Sequence, residues 1–212
     1  DVLATTIVSS TLLSKMATAA GVAYEETLTG FKWVSRSPGP GRRLGFGYEE
    51  ALGFCVGDLV GDKDGITAAV LFAEVVRSLA VEGRTVLDVL DDLAVRHGVH
   101  LTGQRSVRFD GGLAAMTALM AGLRAAPPVD VAGRAVRSVD DLIDGDPARG
   151  LPASDVLVLH LDGARVVVRP SGTEPKVKLY AEVVEPVGAA DLAAARSAAS
   201  ATLAALLGTF PL

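Results

Sequence analysis

One cysteine, three histidines and one tryptophan are all that 212 residues supply, and these scarcities close off whole classes of function. Cys55 alone permits no internal disulfide and suits a reducing compartment, so a cytoplasmic location is expected. His97 and His100 stand three residues apart and His160 is 60 residues further on, and with a lone cysteine they make no metal-ligand cluster. A serine-hydrolase elbow and a Walker loop are both missing. No apolar run approaches the ~18 residues of a membrane span. The opening DVLATTIVSS has neither the basic start nor the sustained apolar stretch of a signal peptide. Positive charge is also in short supply. Lys and Arg number 20 against 25 Asp and Glu, a net charge of −5. That argues against a general nucleic-acid or acidic-membrane binder and confines any anion site to a local pocket.

What is present is apolar. Half the residues are hydrophobic and 21% are charged, enough for one large domain or two small ones with a real core. The chain starts at Asp1, straight into strand-like material, and is expected to be a piece of something longer. VLATTIVSS reads as a strand from its β-branched residues. STLLSKMATAAG reads as a helix closed by Gly21. FKWV reads as a loop or short strand after a glycine turn, and FGYEEALG as a polar, glycine-bounded turn. Asp64 and Thr85 are placed to cap helices, the second with Asp88 in its third position. The alternation suggests an α/β layer. The second half changes character. GGLAAMTALMAGLRAAPP is a helix stopped by prolines, and Asp162-Gly163 joins two strands as a hairpin turn. KVKLYAEVV puts Val177, Leu179, Ala181 and Val183 on one face and Lys178, Tyr180 and Glu182 on the other. An Ala-rich helix from about Asp191 to Gly208 follows. The second half is thus expected to be a small antiparallel α+β domain, with the boundary near residue 104.

The stretch RVVVRPSGTEPKVKLY, residues 165–180, interrupts a strand with residues that folding does not require. Arg169 offers a planar fork matched to two phosphate oxygens. Ser171 and Thr173 add hydroxyl donors, and Gly172 lets backbone N–H groups come close to an anion. Pro170 and Pro175 stiffen the bend, and Lys176 and Lys178 add positive charge. The plainer alternative is a Pro/Gly turn whose arginine pairs with Glu174. GYEEALGF sets Glu49 and Glu50 together on a tight bend, where carboxylates can accept hydrogen bonds from vicinal sugar hydroxyls. The same pair also suits a solvated charged turn. Lys32, in TLTGFKWV, can meet an anion or a hydroxyl, while Trp33 reads as core. His160 reads as a satisfied core or edge histidine, Cys55 as a small buried residue, and Asp62 and Asp64 as capping groups.

Taken in order, TLTGFKWV, FGYEEALGF, DKDGI and RPSGTEPKVKLY resemble the α-D-phosphohexomutase family, in particular its phosphoglucomutase/phosphomannomutase type. The resemblance covers essentially the whole chain but only the third and fourth of the family's four domains. It implies a mixed α/β sugar-recognition domain over 1–104 and an α+β phosphate-binding domain over 105–212. By it, Arg169, Ser171, Gly172 and Thr173 match the phosphate-binding loop, with Lys178 beside them. Glu49, with Glu50 adjacent, matches the sugar-hydroxyl glutamate, and Lys32 a lysine near the active site. Ala51 stands where many relatives have serine, and Gly53 or Phe54 where some have histidine. The full-length protein is implied to interconvert hexose 1-phosphate and hexose 6-phosphate, of glucose or mannose, through a phosphoserine and a bisphosphosugar. Magnesium and a glucose 1,6-bisphosphate-type activator are implied as its cofactors. The phosphoserine and metal loops that this needs are not in the sequence. No metal ligand is therefore expected here, and the missing N-terminal domains are the expected partner. A non-catalytic phosphosugar-binding module and a phosphopentomutase-type substrate are the alternatives.

Overall fold

In the computed structural model, which describes residues 1–172, 174–188 and 191–211, the β-branched opening forms strand β1 (Val2–Thr6). Helix α1 (Leu12–Ala20) ends where expected. Gly21 takes a left-handed φ of 64°, and the Val22 N–H reaches back to the Ala17 carbonyl at 2.9 Å, a helix stop that glycine permits. Strand β2 (Ala23–Thr27) then runs parallel to β1, as a strand–helix–strand crossover demands. FKWV is neither loop nor strand. It forms a one-turn helix, α2 (Phe31–Val34), after Gly30 at φ 116°. The reason is spacing: Phe31 and Val34, three apart, share a face and are both buried.

FGYEEALG is likewise more than a turn. Strand β3 (Leu44–Glu49) lies parallel to β1, and β4 (Gly53–Val56) returns antiparallel along β3, giving a mixed sheet of order β2-β1-β3-β4. Ala4, Phe31, Val34, Leu44 and Cys55 form its buried cluster on the α2 face. Gly47 is required there, since a Cβ at this position would sit 2.5 Å from Val34 Cγ1. Two capped helices follow, α3 (Gly65–Val81) and α4 (Val86–His97). Asp64 accepts from the Ile66 and Thr67 N–H groups, and Thr85 and Asp88 form a reciprocal capping box.

The structure divides into two units, Asp1–Gly98 and Val99–Leu212. The boundary expected near 104 falls inside strand β5 (Val99–Arg108), all of which pairs with a strand of the second unit. That unit holds α5 (Gly112–Ala125), β6 (Asp130–Val131), β7 (Arg134–Asp141), β8 (Leu157–Leu161), β9 (Ala164–Pro170), β10 (Lys176–Glu185) and α6 (Leu192–Thr209). Among the described residues its six strands pair antiparallel, in the order β5-β10-β9-β8-β7-β6. The Asp162-Gly163 turn joins β8 to β9 with Gly163 at φ 64°. Val177, Leu179, Ala181 and Val183 are buried as one face. Helix α6 covers it closely because Gly103, opposite Ala181, leaves room for Leu203 and Leu207. Its 18 residues carry one charge, Arg196, so a run of spanning length does exist. The helix packs Ala195, Ala199, Leu203 and Leu206 inward, which makes it the cover of a sheet. The opposite face of β10 is buried too, and it carries charge. Glu182 accepts from Arg165 Nε at 2.8 Å and lies 3.0 Å from His100 Nδ1.

Candidate functional site

Each unit brings part of the expected constellation together. In the first, β3 delivers Glu49 to the end of the hairpin, where its side chain is only 11% exposed. One carboxylate oxygen accepts from the Gly30 N–H at 2.8 Å, and the other lies 3.3 Å from Lys63 Nζ. Two donors leave part of the carboxylate's capacity of about four hydrogen bonds for a ligand. The Gly30 turn and the β3 end thus fix Glu49, which a solvated charged turn does not require. Glu50 sits one residue on, exposed in the turn. The turn closes through Leu52 at φ 62°, a backbone state that costs a leucine energy and tends to persist at functional bends. Lys32 is exposed, with its ammonium 5.2 Å from the centre of the Trp33 ring. Trp33 is not core but 36% exposed, because only Phe31 and Val34 of its helical turn point inward.

Lys63 is a neighbour of Glu49 that sequence reasoning does not find. The motif DKDGI sets it between two capping-type aspartates, and nothing in the local pattern aims it at Glu49. Three contacts bring it there. The Asp64 N–H donates to the Phe54 carbonyl at 2.6 Å, tying this segment to β4. Gly53 leaves space for the lysine stem, since a Cβ there would lie 2.9 Å from Lys63 Cε. The ammonium then rests 4.9 Å from the Phe31 ring centre, within cation–π range. Cys55 is buried as expected, and its thiol pKa is pushed up by burial and then by Asp64, Asp58 and Asp62. His160 lies at hydrogen-bond distance from Asp140, 2.9 Å, a satisfied histidine.

In the second unit the ladder register does the assembling. Lys178 is directly opposite Arg169 on β9 and Ser106 on β5, while Lys176 is opposite Arg108. Alternation therefore places Arg169, Lys178, Ser106, Lys176 and Arg108 on one face at one end of the sheet. Ser171 and Gly172 continue from that end, and the Ser171 N–H donates to the Lys176 carbonyl at 2.8 Å, closing the bend. Thr173 lies outside the described residues. The plainer alternative for the bend, an arginine of the turn paired with Glu174, takes a different form. Glu174 is held by Arg108 at 2.8 Å and Lys176 at 3.2 Å, not by Arg169. Ser106 and Arg108 carry no signal in the sequence, since nothing in residues 99–108 marks them as neighbours of β10.

The sequence and the fold both have known relatives. Residues 1–96 match the phosphoglucomutase/phosphomannomutase alpha/beta/alpha domain III, and residues 129–199 match the C-terminal domain of the same family. The chain belongs to the phosphoglucomutase/phosphomannomutase family. A probable phosphomannomutase of Haemophilus influenzae is 43% identical over 180 residues, covering 84% of this chain and 35% of that protein. A probable phosphoribomutase of Schizosaccharomyces pombe is 33% identical, covering 82% and 33%. A Staphylococcus epidermidis phosphoglucomutase is 32% identical, covering 82% and 34%. The chain thus spans about a third of the length of these phosphomutases. Among solved structures, the open form of the Paramecium phosphoglucomutase parafusin superposes with a TM-score of 0.67 at 18% identity, over 97% of this chain and 37% of that one. A Thermus thermophilus phosphomannomutase gives 0.62 at 20% identity, over 98% and 35%. These two bear on fold alone. They agree with a mixed α/β unit followed by an antiparallel α+β unit.

Proposed function

We propose that this chain is the substrate-recognition part of a phosphohexomutase that interconverts hexose 1-phosphate and hexose 6-phosphate, of glucose or mannose. The observation that carries the reading is the β9–β10 register, which sets Arg169 against Lys178 beside the Ser171-Gly172 bend. A guanidinium fork, an ammonium and a stiffened bend that carries the Ser171 hydroxyl and the Gly172 backbone form a receptor for a phosphate dianion. In this reading Thr173, next after Gly172 in the sequence, is a further hydroxyl donor to the phosphate. A cytoplasmic setting belongs to the same proposal, in keeping with the single cysteine.

The two units divide the work. Glu49, oriented by the Gly30 N–H and Lys63, accepts hydrogen bonds from vicinal hydroxyls, with Glu50 and Lys32 at the rim. A vicinal pair presents a similar face in two opposite orientations of the sugar, which an isomerase working through a bisphosphosugar needs. The phosphate loop holds whichever phosphate is not reacting, supplying position and binding energy. Magnesium, with a phosphoserine, supplies charge neutralisation and group transfer in the remaining domains of the full-length protein. In this reading the residues of this chain bind and orient the sugar phosphate. The chain alone is then a binder without turnover. Titration with glucose 6-phosphate, mannose 6-phosphate and ribose 5-phosphate, followed by NMR, tests this. Shifts at residues 169–178 and 47–52 that vanish in Arg169→Ala are expected. Strongest shifts with ribose 5-phosphate move the substrate to a pentose. Absence of all shifts at millimolar ligand removes the reading.

A further inference from the structure

Glu174 is the one carboxylate between Arg169 and Lys178, and it engages two of the cations that face the bend. Its Oε2 accepts from Arg108 Nη2 at 2.8 Å and its Oε1 from Lys176 Nζ at 3.2 Å. Those two residues are direct partners in the β5–β10 ladder and share a face with Ser106, Lys178 and Arg169. The hydrogen bond from Lys176, its charge, and then Arg108 hold the Glu174 carboxyl below its usual range, so it is an anion at neutral pH. A carboxylate held by a guanidinium and an ammonium from adjacent strands makes the contacts that a phosphate oxygen pair makes.

We propose that Glu174 is the resident counter-anion of the phosphate site. It occupies Arg108 and Lys176 while no phosphate is bound, yields them to the ligand, and by its own charge limits how tightly the phosphate is held. The inference rests on the phosphate-site reading above. Two observations and one chemical preference carry it. The Arg108–Glu174 pair is open, with side chains 72% and 39% exposed, and pairs that exposed are held weakly enough to exchange. A phosphate dianion is the better partner for the Arg108 fork, having more charge and matching geometry. The segment also has ties that do not involve the carboxylate. The Phe109 N–H donates to the Pro175 carbonyl at 2.9 Å, and the Ser171 N–H to that of Lys176 at 2.8 Å, so backbone bonds pin both ends of the segment. A limited affinity also suits the proposed chemistry. An intermediate that must let go and return by its other end gains nothing from tight ground-state binding.

The test is calorimetric titration of this chain with inorganic phosphate and with glucose 6-phosphate, using wild type, E174Q, R108A and the double variant. Removing one like charge from the site is expected to tighten phosphate binding about three- to tenfold in E174Q. R108A is expected to weaken binding, and in its background the gain from E174Q is expected to shrink. E174D, which keeps the charge, should stay close to wild type. Equal or weaker binding in E174Q overturns the counter-anion role while leaving the phosphate site standing, because wild type still binds. A gain in E174D as large as in E174Q overturns it as well, since charge is then not the cause. Failure of both wild type and E174Q to bind either ligand at millimolar concentration overturns the phosphate-site reading and this inference with it.

Discussion

Substituting Gly47 by alanine tests how tightly the sheet of the first unit is built against α2. The added Cβ would lie 2.5 Å from Val34 Cγ1 and 3.5 Å from the Ala4 carbonyl. Val34 is fully buried, so it has no free rotamer to move into. Alanine is better than glycine in a strand by roughly 0.5–1 kcal/mol of backbone entropy, whereas overpacking a filled core costs about 1–3 kcal/mol. The clash is worse than ordinary contact and meets an immobile neighbour, so a net loss of about 1–2 kcal/mol is expected. Val34→Ala alone removes two buried methyl equivalents, roughly 2 kcal/mol with its cavity. Combined, the new methyl fills part of that cavity. The double variant should therefore be more stable than the sum of the singles by about 1 kcal/mol or more. The assay is at hand, because the only tryptophan, Trp33, sits beside Val34 in α2. Its fluorescence through a urea titration follows the first unit. A neutral or stabilised Gly47→Ala, or strictly additive singles, would refute the packing argument.

Other consequences follow from the same geometry. Glu182→Ala leaves Arg165 and His100 without their buried carboxylate and should cost the second unit about 3–5 kcal/mol, read as a lowered Tm by circular dichroism. The Cys55 thiol, buried and raised in pKa, should react with a thiol reagent at pH 8 far more slowly in the native protein than in urea; fast native labelling contradicts its placement. The caps Asp64 and Asp88 have lowered pKa values because each accepts hydrogen bonds, from Thr67 and Ile66 and from Thr85. Their stabilisation is complete above the ordinary value of 3.8 and lost as pH falls through the lower folded value, so Asp64→Asn and Asp88→Asn should flatten the acid limb of a stability–pH curve. Helix α3 exposes Ile66, Val70 and Phe72, an apolar surface that the isolated chain leaves open to dye binding or self-association. Phe72→Ser should reduce both, and an unchanged elution volume with unchanged dye fluorescence removes that expectation.

What the sequence discloses depends on how local each cause is. The Gly21 stop, the Thr85 capping box and the Asp162-Gly163 turn involve residues within a few positions of one another, and each is legible because its chemistry is local. The faces of β10 are legible for a similar reason, since period-two alternation needs no partner. The errors begin where a distant partner decides. FKWV is a helical turn because Phe31 and Val34 are buried against β1 and β3, and Trp33 faces outward as a result. The unit boundary moves because β5 joins β10, with paired residues 68 to 86 positions apart, and no periodicity in residues 99–108 alone reveals that pairing. The candidate site divides along the same line. Arg169, Ser171, Gly172 and Lys178 stand close together in the chain and can be grouped from the sequence alone, as can Glu49 and Glu50. Lys63 reaches Glu49 only through a backbone bond to Phe54 and the space at Gly53. Arg108 reaches Glu174 only across the β5–β10 ladder. The side chains that motif reading singles out are those whose own type fits a ligand. Lys63 and Arg108 instead act first on a carboxylate of the protein, so their relevance is fixed by tertiary contact and becomes legible only there.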